Sequence, residues 1–238
     1  MIVLAIDTCD SRGSVAVLKG DAVVGSATHE TAEDYSSWLL PAVEGVLRGS
    51  GIRIADVDLY AAASGPGSFT GVRVGLTTVK AWAEVYQKRV IAASRLEAIA
   101  VQNTAAATYV AGFADAQRGQ VFGALYRPSK AGLERLGDEM VLAPGKFVEW
   151  VEGAIGEERA SWVSPDATQV LAEAAWIRRR ERGESIELVS AMLAPGVGRL
   201  GARKLAEGQF TDALGLDANY VRRSDAEIFW KSRPAHGG

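Results

Sequence analysis

The chain has 238 residues, a formal charge of −3, 48% apolar and 23% charged residues, 26 Gly against 7 Pro, and a mean hydropathy of +0.04. This excludes a disordered, collagen-like or low-complexity chain, and the acidic balance argues against a protein that grips a nucleic-acid backbone unaided. The single cysteine, Cys9, cannot form an internal disulfide, only His29 and His236 could serve a His-based metal site, and no stretch approaches the ~18 apolar residues of a membrane span, so a cytoplasmic protein is expected.

In chain order, residues 2 to 8 form an apolar, β-branched run, followed by the polar turn Cys9-Asp10-Ser11-Arg12-Gly13 and a second run at 14 to 18. Together they predict a hairpin, and a third run at 22 to 27 completes a meander. From 34 to 48, Leu39, Val43, Val46 and Leu47 recur at helical spacing, with Pro41 expected to bend the helix because it has no N–H to donate. A strand at 57 to 63, a helix at 70 to 86, a short strand at 90 to 93 and a helix at 96 to 102 follow. The same order then returns, with strands near 108 to 115, 119 to 127 and 133 to 142 and a helix near 145 to 152. A strand at 160 to 163, one helix from 167 to 181, a strand at 186 to 190 and a helix from 196 to 207 close the series.

Each half therefore reads as a three-stranded meander, then helix, strand, helix and strand. Strands alternating with helices after a hairpin imply a mixed sheet covered by helices. Two such units across a cleft match, by pattern, the ribonuclease-H-like duplication of actin-like proteins. The expected architecture is α/β, with an N-terminal lobe over 1–104, a C-terminal lobe over 105–238, and the final segment packing back on the first lobe.

Chemistry centres on Ser64-Gly65-Pro66-Gly67-Ser68-Phe69-Thr70-Gly71-Val72-Arg73-Val74-Gly75, between a predicted strand and a predicted helix. Its glycines permit close backbone approach and Ser68 or Thr70 can cap the helix, while a helix N-terminus also attracts phosphate. The spacing of Gly65, Gly67 and Gly71 is one residue too long for the dinucleotide fingerprint, and no Walker Lys-Ser/Thr follows. Tight packing and anion binding both remain open. Asp7 and Asp115 end corresponding strands, where they either face the cleft and hold Mg²⁺ or a water, or open a turn.

Other hydrolytic readings are weaker. A ribonuclease site needs a carboxylate cluster, yet Ser64 stands at the end of the fourth strand. Neither histidine is placed to serve Ser68 as a base, and Cys9 has the same difficulty. The run Arg178-Arg179-Arg180-Glu181-Arg182 complements a helix C-terminus, with RNA or partner contact as the other reading. Trp38, Trp82 and Tyr86 lie on the two first-lobe helices as either core or interface.

The sequence resembles the TsaB family, formerly YeaZ, the bacterial partner in threonylcarbamoyladenosine modification of transfer RNA. The resemblance rests on Ile6-Asp7-Thr8, Ser14-Val15-Ala16, Leu39-Leu40-Pro41, the glycine-rich segment with Lys80-Ala81, Ser94-Arg95-Leu96-Glu97-Ala98, Asp115-Ala116-Gln117-Arg118 and Ala218-Asn219-Tyr220-Val221-Arg222. The related TsaD carries a His-x-x-x-His metal pair shortly after the glycine-rich region, where this chain has Val90-Ile91-Ala92-Ala93-Ser94-Arg95-Leu96-Glu97. The resemblance therefore implies a catalytically silent partner of TsaD, without protease activity. It supports TsaD in transferring a threonylcarbamoyl group to adenosine 37 of tRNA.

The resemblance also implies a heterodimer with TsaD, a ternary complex with the ATPase TsaE, homodimers when TsaD is absent, and tRNA contact only through the complex. No cofactor is implied for this chain alone, with ATP/ADP and Mg belonging to the complex. The implied partner face comprises Tyr35, Trp38, Leu39, Val43, Val72, Arg73, Leu76, Val79, Trp82 and Tyr86. The cleft set is Asp7, Thr8, Gly65, Gly67, Ser68 and Asp115. Many relatives have His where this chain has Tyr35. The alternatives are a nucleotide-dependent actin-like phosphotransferase or ATPase, and a ribonuclease-H-like nuclease.

Overall fold

A computed structural model describes residues 1–29, 33–210 and 215–221. His236 and the remaining tail from 222 onward lie outside the described residues. In the first half, β1 (Ile2–Asp7), β2 (Ser14–Lys19) and β3 (Ala22–Thr28) form the antiparallel meander, and α1 (Tyr35–Gly49) leads to β4 (Leu59–Ala63). Helix α2 (Phe69–Tyr86), β5 (Arg89–Ala93) and α3 (Arg95–Ala100) follow. The sheet order is β3-β2-β1-β4-β5, with β4 parallel to both β1 and β5. Crossover helices α1 and α2 make that parallel pairing reachable.

The second half repeats the plan with β6 (Tyr109–Asp115), β7 (Val121–Ser129), β8 (Gly132–Leu142), α4 (Pro144–Ile155), β9 (Ala160–Ser164), α5 (Thr168–Leu171), α6 (Ala174–Glu181), β10 (Ile186–Leu188) and α7 (Ala194–Ala206). Its sheet order, β8-β7-β6-β9-β10, reproduces the first element for element. The duplicated, two-lobed ribonuclease-H-like fold expected from element order is the one observed. Each half's last helix packs on the other sheet. Gly112 of β6 lets Ala100 and the Leu96 carbonyl of α3 approach, while Gly198 and Gly201 of α7 lie against Leu18 and Ala61. Helices α3 and α7 thus sit between the two sheets, bridged by Arg203 and Lys204 to Glu97 at 2.6 and 3.2 Å.

One local expectation holds and one changes. Helix α1 runs from Tyr35 to Gly49 through Pro41, whose ring faces solvent. The single helix expected over 167 to 181 is two helices, broken where Glu173 is extended. On one continuous helix Val170 and Trp176 would point about 120° apart. The break lets both enter the second core, where Trp176 packs edge-on against Trp162.

Candidate functional site

The glycine-rich turn is built by backbone contact. Ser68 caps α2 by accepting the Gly71 N–H at 3.3 Å, and its own N–H donates to the Cys9 carbonyl at 2.7 Å. A Cβ at Gly67 would lie 2.1 Å from the Cys9 carbonyl oxygen, and one at Gly71 would lie 2.0 Å from that of Thr8. Thr8 Oγ1 donates to the Gly71 carbonyl at 2.6 Å. Of the two readings open at this segment, close packing of α2 on the β1–β2 turn accounts for Gly67 and Gly71.

A cleft of about 680 Å³ lies between the lobes, floored by Cys9, Asp10 and Arg95 and walled by Gly67 and Ser68 on one side and Asp115 and Gln117 on the other. A third wall is formed by Asn219, Tyr220 and Val221. Asn219 donates its backbone N–H to the Ser64 carbonyl at 2.8 Å and its side-chain amide to Glu139 of β8. Tyr220 accepts from Arg73 Nε at 2.9 Å, and Arg73 lies 3.8 Å over the Phe69 ring. One short segment thereby ties α2 to the second lobe.

The six expected cleft residues separate. Gly67, Ser68 and Asp115 line the cleft, whereas Asp7 and Thr8 are buried beneath it and Gly65 shapes the turn, accepting the Arg95 N–H at 2.7 Å. Of the two readings open for Asp7, facing the cleft is the one that fails and opening the turn the one that holds. Its Oδ1 accepts the Cys9 N–H at 2.9 Å, and its Oδ2 lies 3.8 Å from Arg95 Nε. Asp115 accepts the Gln117 N–H in the same i+2 turn, and the Gln117 and Gln169 amides also donate to it. Gln117 and Arg118 hold this turn at positive φ, 60° and 57°. Among the described residues no three His, Cys, Asp or Glu side chains gather as a metal-holding group.

Sequence reasoning missed the organising roles of Arg95 and Asp10. Arg95 Nη2 donates to Asp10 Oδ2 at 2.5 Å. Burial opposes Arg95's charge, but Asp7, Asp10 and Cys9 raise its pKa. Burial also works against the Asp10 carboxylate, yet the Arg95 charge and the Ser11 donors hold it below the ordinary 3.8. The available signal was α3 itself, a short helix whose residues are all buried, including Arg95 and Glu97. Buried charges at adjoining turns demand partners.

A depressed carboxylate contributes stability that is fully present above its ordinary value and lost as pH falls through the lower folded value. Asp10→Asn is therefore expected to flatten the acid limb. As pH falls through and below the ordinary 3.8, the parent's thermal midpoint should fall more steeply than the variant's; parallel curves would refute the pairing.

Among the described residues, the other nucleophile and base candidates, Cys9 and His29, are occupied or buried. Burial, then the Asp7 charge, pushes the Cys9 thiol well up. Both His29 ring nitrogens lie against backbone carbonyls, of Ser11 at 2.9 Å and Glu33 at 2.7 Å. Three of the four arginines of the basic run pair within their own lobe, and Arg180 is exposed. Arg179 is buried against Glu184, with Nε at 2.9 Å, while Arg178 and Arg182 each pair at 3.4 Å with Glu152 and Glu157 respectively.

Of the residues expected on a partner face, Leu39, Val43, Val72, Leu76 and Val79 are buried in the first lobe's own core, and of these only Leu39 and Val43 reach the bottoms of hollows on the α1–α2 surface. That part of the expectation is corrected. They occupy the inward stripes of α1 and α2. Arg73 is exposed and Tyr35, Trp38, Trp82 and Tyr86 are half-buried. The exposed apolar residues of these helices are Leu40 at 55%, Phe69 at 38% and Val85 at 72%. Leu40 stands on the ridge between two hollows, one reaching Phe69 and Val74, the other reaching Trp82 and Ile52.

The family model described as TsaD: tRNA N6-adenosine threonylcarbamoyltransferase matches residues 24–178. The chain is 31% identical over 153 residues to the tRNA threonylcarbamoyladenosine biosynthesis protein TsaB of Bacillus subtilis, a match covering 64% of this chain and 65% of that one. It is 28% identical over 237 residues to the Escherichia coli protein of the same name, covering 98% and 99%. Among solved structures, YeaZ from Pseudomonas aeruginosa superposes with a TM-score of 0.72 at 25% identity, covering 92% of this chain and 99% of that one. No helix among the described residues is long and apolar enough to cross a membrane.

Proposed function

The chain belongs to the family described by the TsaD model, on the branch of the proteins named TsaB or YeaZ, and from this premise we propose that it is the non-catalytic partner of TsaD. It takes part in threonylcarbamoyladenosine biosynthesis on tRNA, pairing with TsaD in the cytoplasm and joining TsaE in a ternary assembly. ATP or ADP and Mg²⁺ belong to that assembly, and tRNA meets this chain through it. In isolation the same α1–α2 face forms a homodimer.

The observation that carries this reading is the state of the cleft's carboxylates. Asp7 and Asp10 share the Arg95 guanidinium, and Asp115 accepts three N–H donors from Gln117 and Gln169. A phosphotransferase needs such groups available to a metal or a reacting phosphate. A nuclease needs an acid near the end of β4, where Ser64 Oγ donates to the Ala93 carbonyl at 3.2 Å. What remains presented is the apolar ridge of α1 and α2, the surface type used for protein association.

The reading is tested by reconstitution from purified components. TsaD, TsaE and the adenylate-forming enzyme should modify adenosine 37 only when this chain is added, and this chain alone should modify none. Undiminished modification in its absence would refute the role.

A further inference from the structure

Asp7 and Asp10 lie on the turn that follows β1, and one guanidinium answers both. Arg95 Nη2 reaches Asp10 Oδ2 at 2.5 Å and Nε lies 3.8 Å from Asp7 Oδ2. Asp7 is fully buried, so bulk counter-ions do not reach it. The Arg95 side chain is 2% exposed. The match is incomplete, however. Asp7 Oδ2 and Arg95 Nε are both buried and both lack a hydrogen-bond partner, whereas an arginine fitted to a carboxylate commonly forms two parallel N–H···O bonds. One carboxylate on the cleft floor, Asp10, and one buried directly beneath it, Asp7, are instead a donor pair that Mg²⁺ or Mn²⁺ takes once the guanidinium between them and the cleft is gone, completing its shell with water.

We infer that Arg95 is a resident cation: its guanidinium fills a divalent-cation seat formed by Asp7 and Asp10, and removing it turns that seat into a metal site. The inference goes beyond the pairing role above and concerns this chain alone, so its failure would leave that role untouched. A fixed guanidinium supplies charge without open coordination positions, so it neutralises the carboxylates and offers no metal-bound water.

The test uses the full-length protein with MnCl₂, followed by electron paramagnetic resonance of the free ion and by thermal unfolding. The parent should bind no manganese in the cleft, and its midpoint should stay put. Arg95→Ala should bind one ion per chain and gain about 5 °C at millimolar manganese. Asp10→Asn combined with Arg95→Ala should lose both effects. Should Arg95→Ala fail to fold without metal, manganese should restore its refolding, and Arg95→Gln provides a second neutral side chain that fills more of the space but stops short of the guanidinium nitrogens that reach Asp10. A folded Arg95→Ala or Arg95→Gln protein that binds no manganese would overturn the assignment. Refolding indifferent to manganese would do the same, as would manganese binding by the parent that Asp10→Asn abolishes.

Discussion

Gly71→Ala is expected to lower stability by about 3 kcal/mol, among the larger effects of a single methyl group. The added carbon would sit 2.0 Å from the Thr8 carbonyl oxygen, and neither partner is a flexible side chain. Relief requires α2 to move off the β1–β2 turn. That motion also strains the Thr8 Oγ1 bond to the Gly71 carbonyl and disturbs the floor of the cleft at Cys9 and Arg95. A domain of this size should lose roughly 6 to 12 °C in thermal midpoint. Gly45→Ala is the matched control. It lies within α1 with open space around its Cα, and the same methyl group there should stabilise by about 0.5 to 1 kcal/mol. Equal responses at the two glycines would show that propensity, not backbone contact, governs Gly71.

Leu40→Asp is expected to weaken association with TsaD by about 100-fold or more, the loss typical of a central apolar contact replaced by a charge that must be desolvated. Leu40 is 55% exposed, so the isolated chain should keep its circular dichroism spectrum and midpoint. Val79→Asp sits on the neighbouring helix but places its charge in the core. It should unfold the lobe and therefore reports on the fold rather than the surface. Calorimetric titration against TsaD, with the spectrum of each variant alongside, separates the two effects. Unchanged affinity for folded Leu40→Asp would remove the α1–α2 ridge from the interface.

Much of the fold was legible because period and order survive in the sequence. The alternating meanders, the crossover helices and their repetition specify which strands pair in parallel. The break between α5 and α6 was not legible, because it arises from the need to bury both Val170 and Trp176, a demand set by the core of their own lobe. The exchange of α3 and α7 between lobes is also a tertiary outcome. Its traces are the glycines at 112, 198 and 201, whose meaning appears only once their neighbours are known.

The site was legible unevenly. Gly67, Ser68 and Asp115 could be placed at the cleft because turns between strands and helices point there. Asp7 shares their position in the pattern but not their exposure, since a guanidinium from 88 residues later covers it. Residue type alone does not tell a helix-end arginine in water from one sealed between two aspartates. Helical spacing likewise marked Leu39, Val43 and Val79 correctly as one stripe of each helix. Which stripe faces the core is decided by the sheet beneath, and it assigned those residues inward and Leu40 and Val85 outward.

The central claim is that this chain supports tRNA modification through its surface and not through its cleft. The most direct measurement is the rate of threonylcarbamoyladenosine formation in the reconstituted system with Leu40→Asp or Asp115→Asn in place of the parent chain. The account expects Leu40→Asp to abolish most of the rate and Asp115→Asn, correctly folded, to sustain it. Loss of modification with Asp115→Asn and full modification with Leu40→Asp would contradict it.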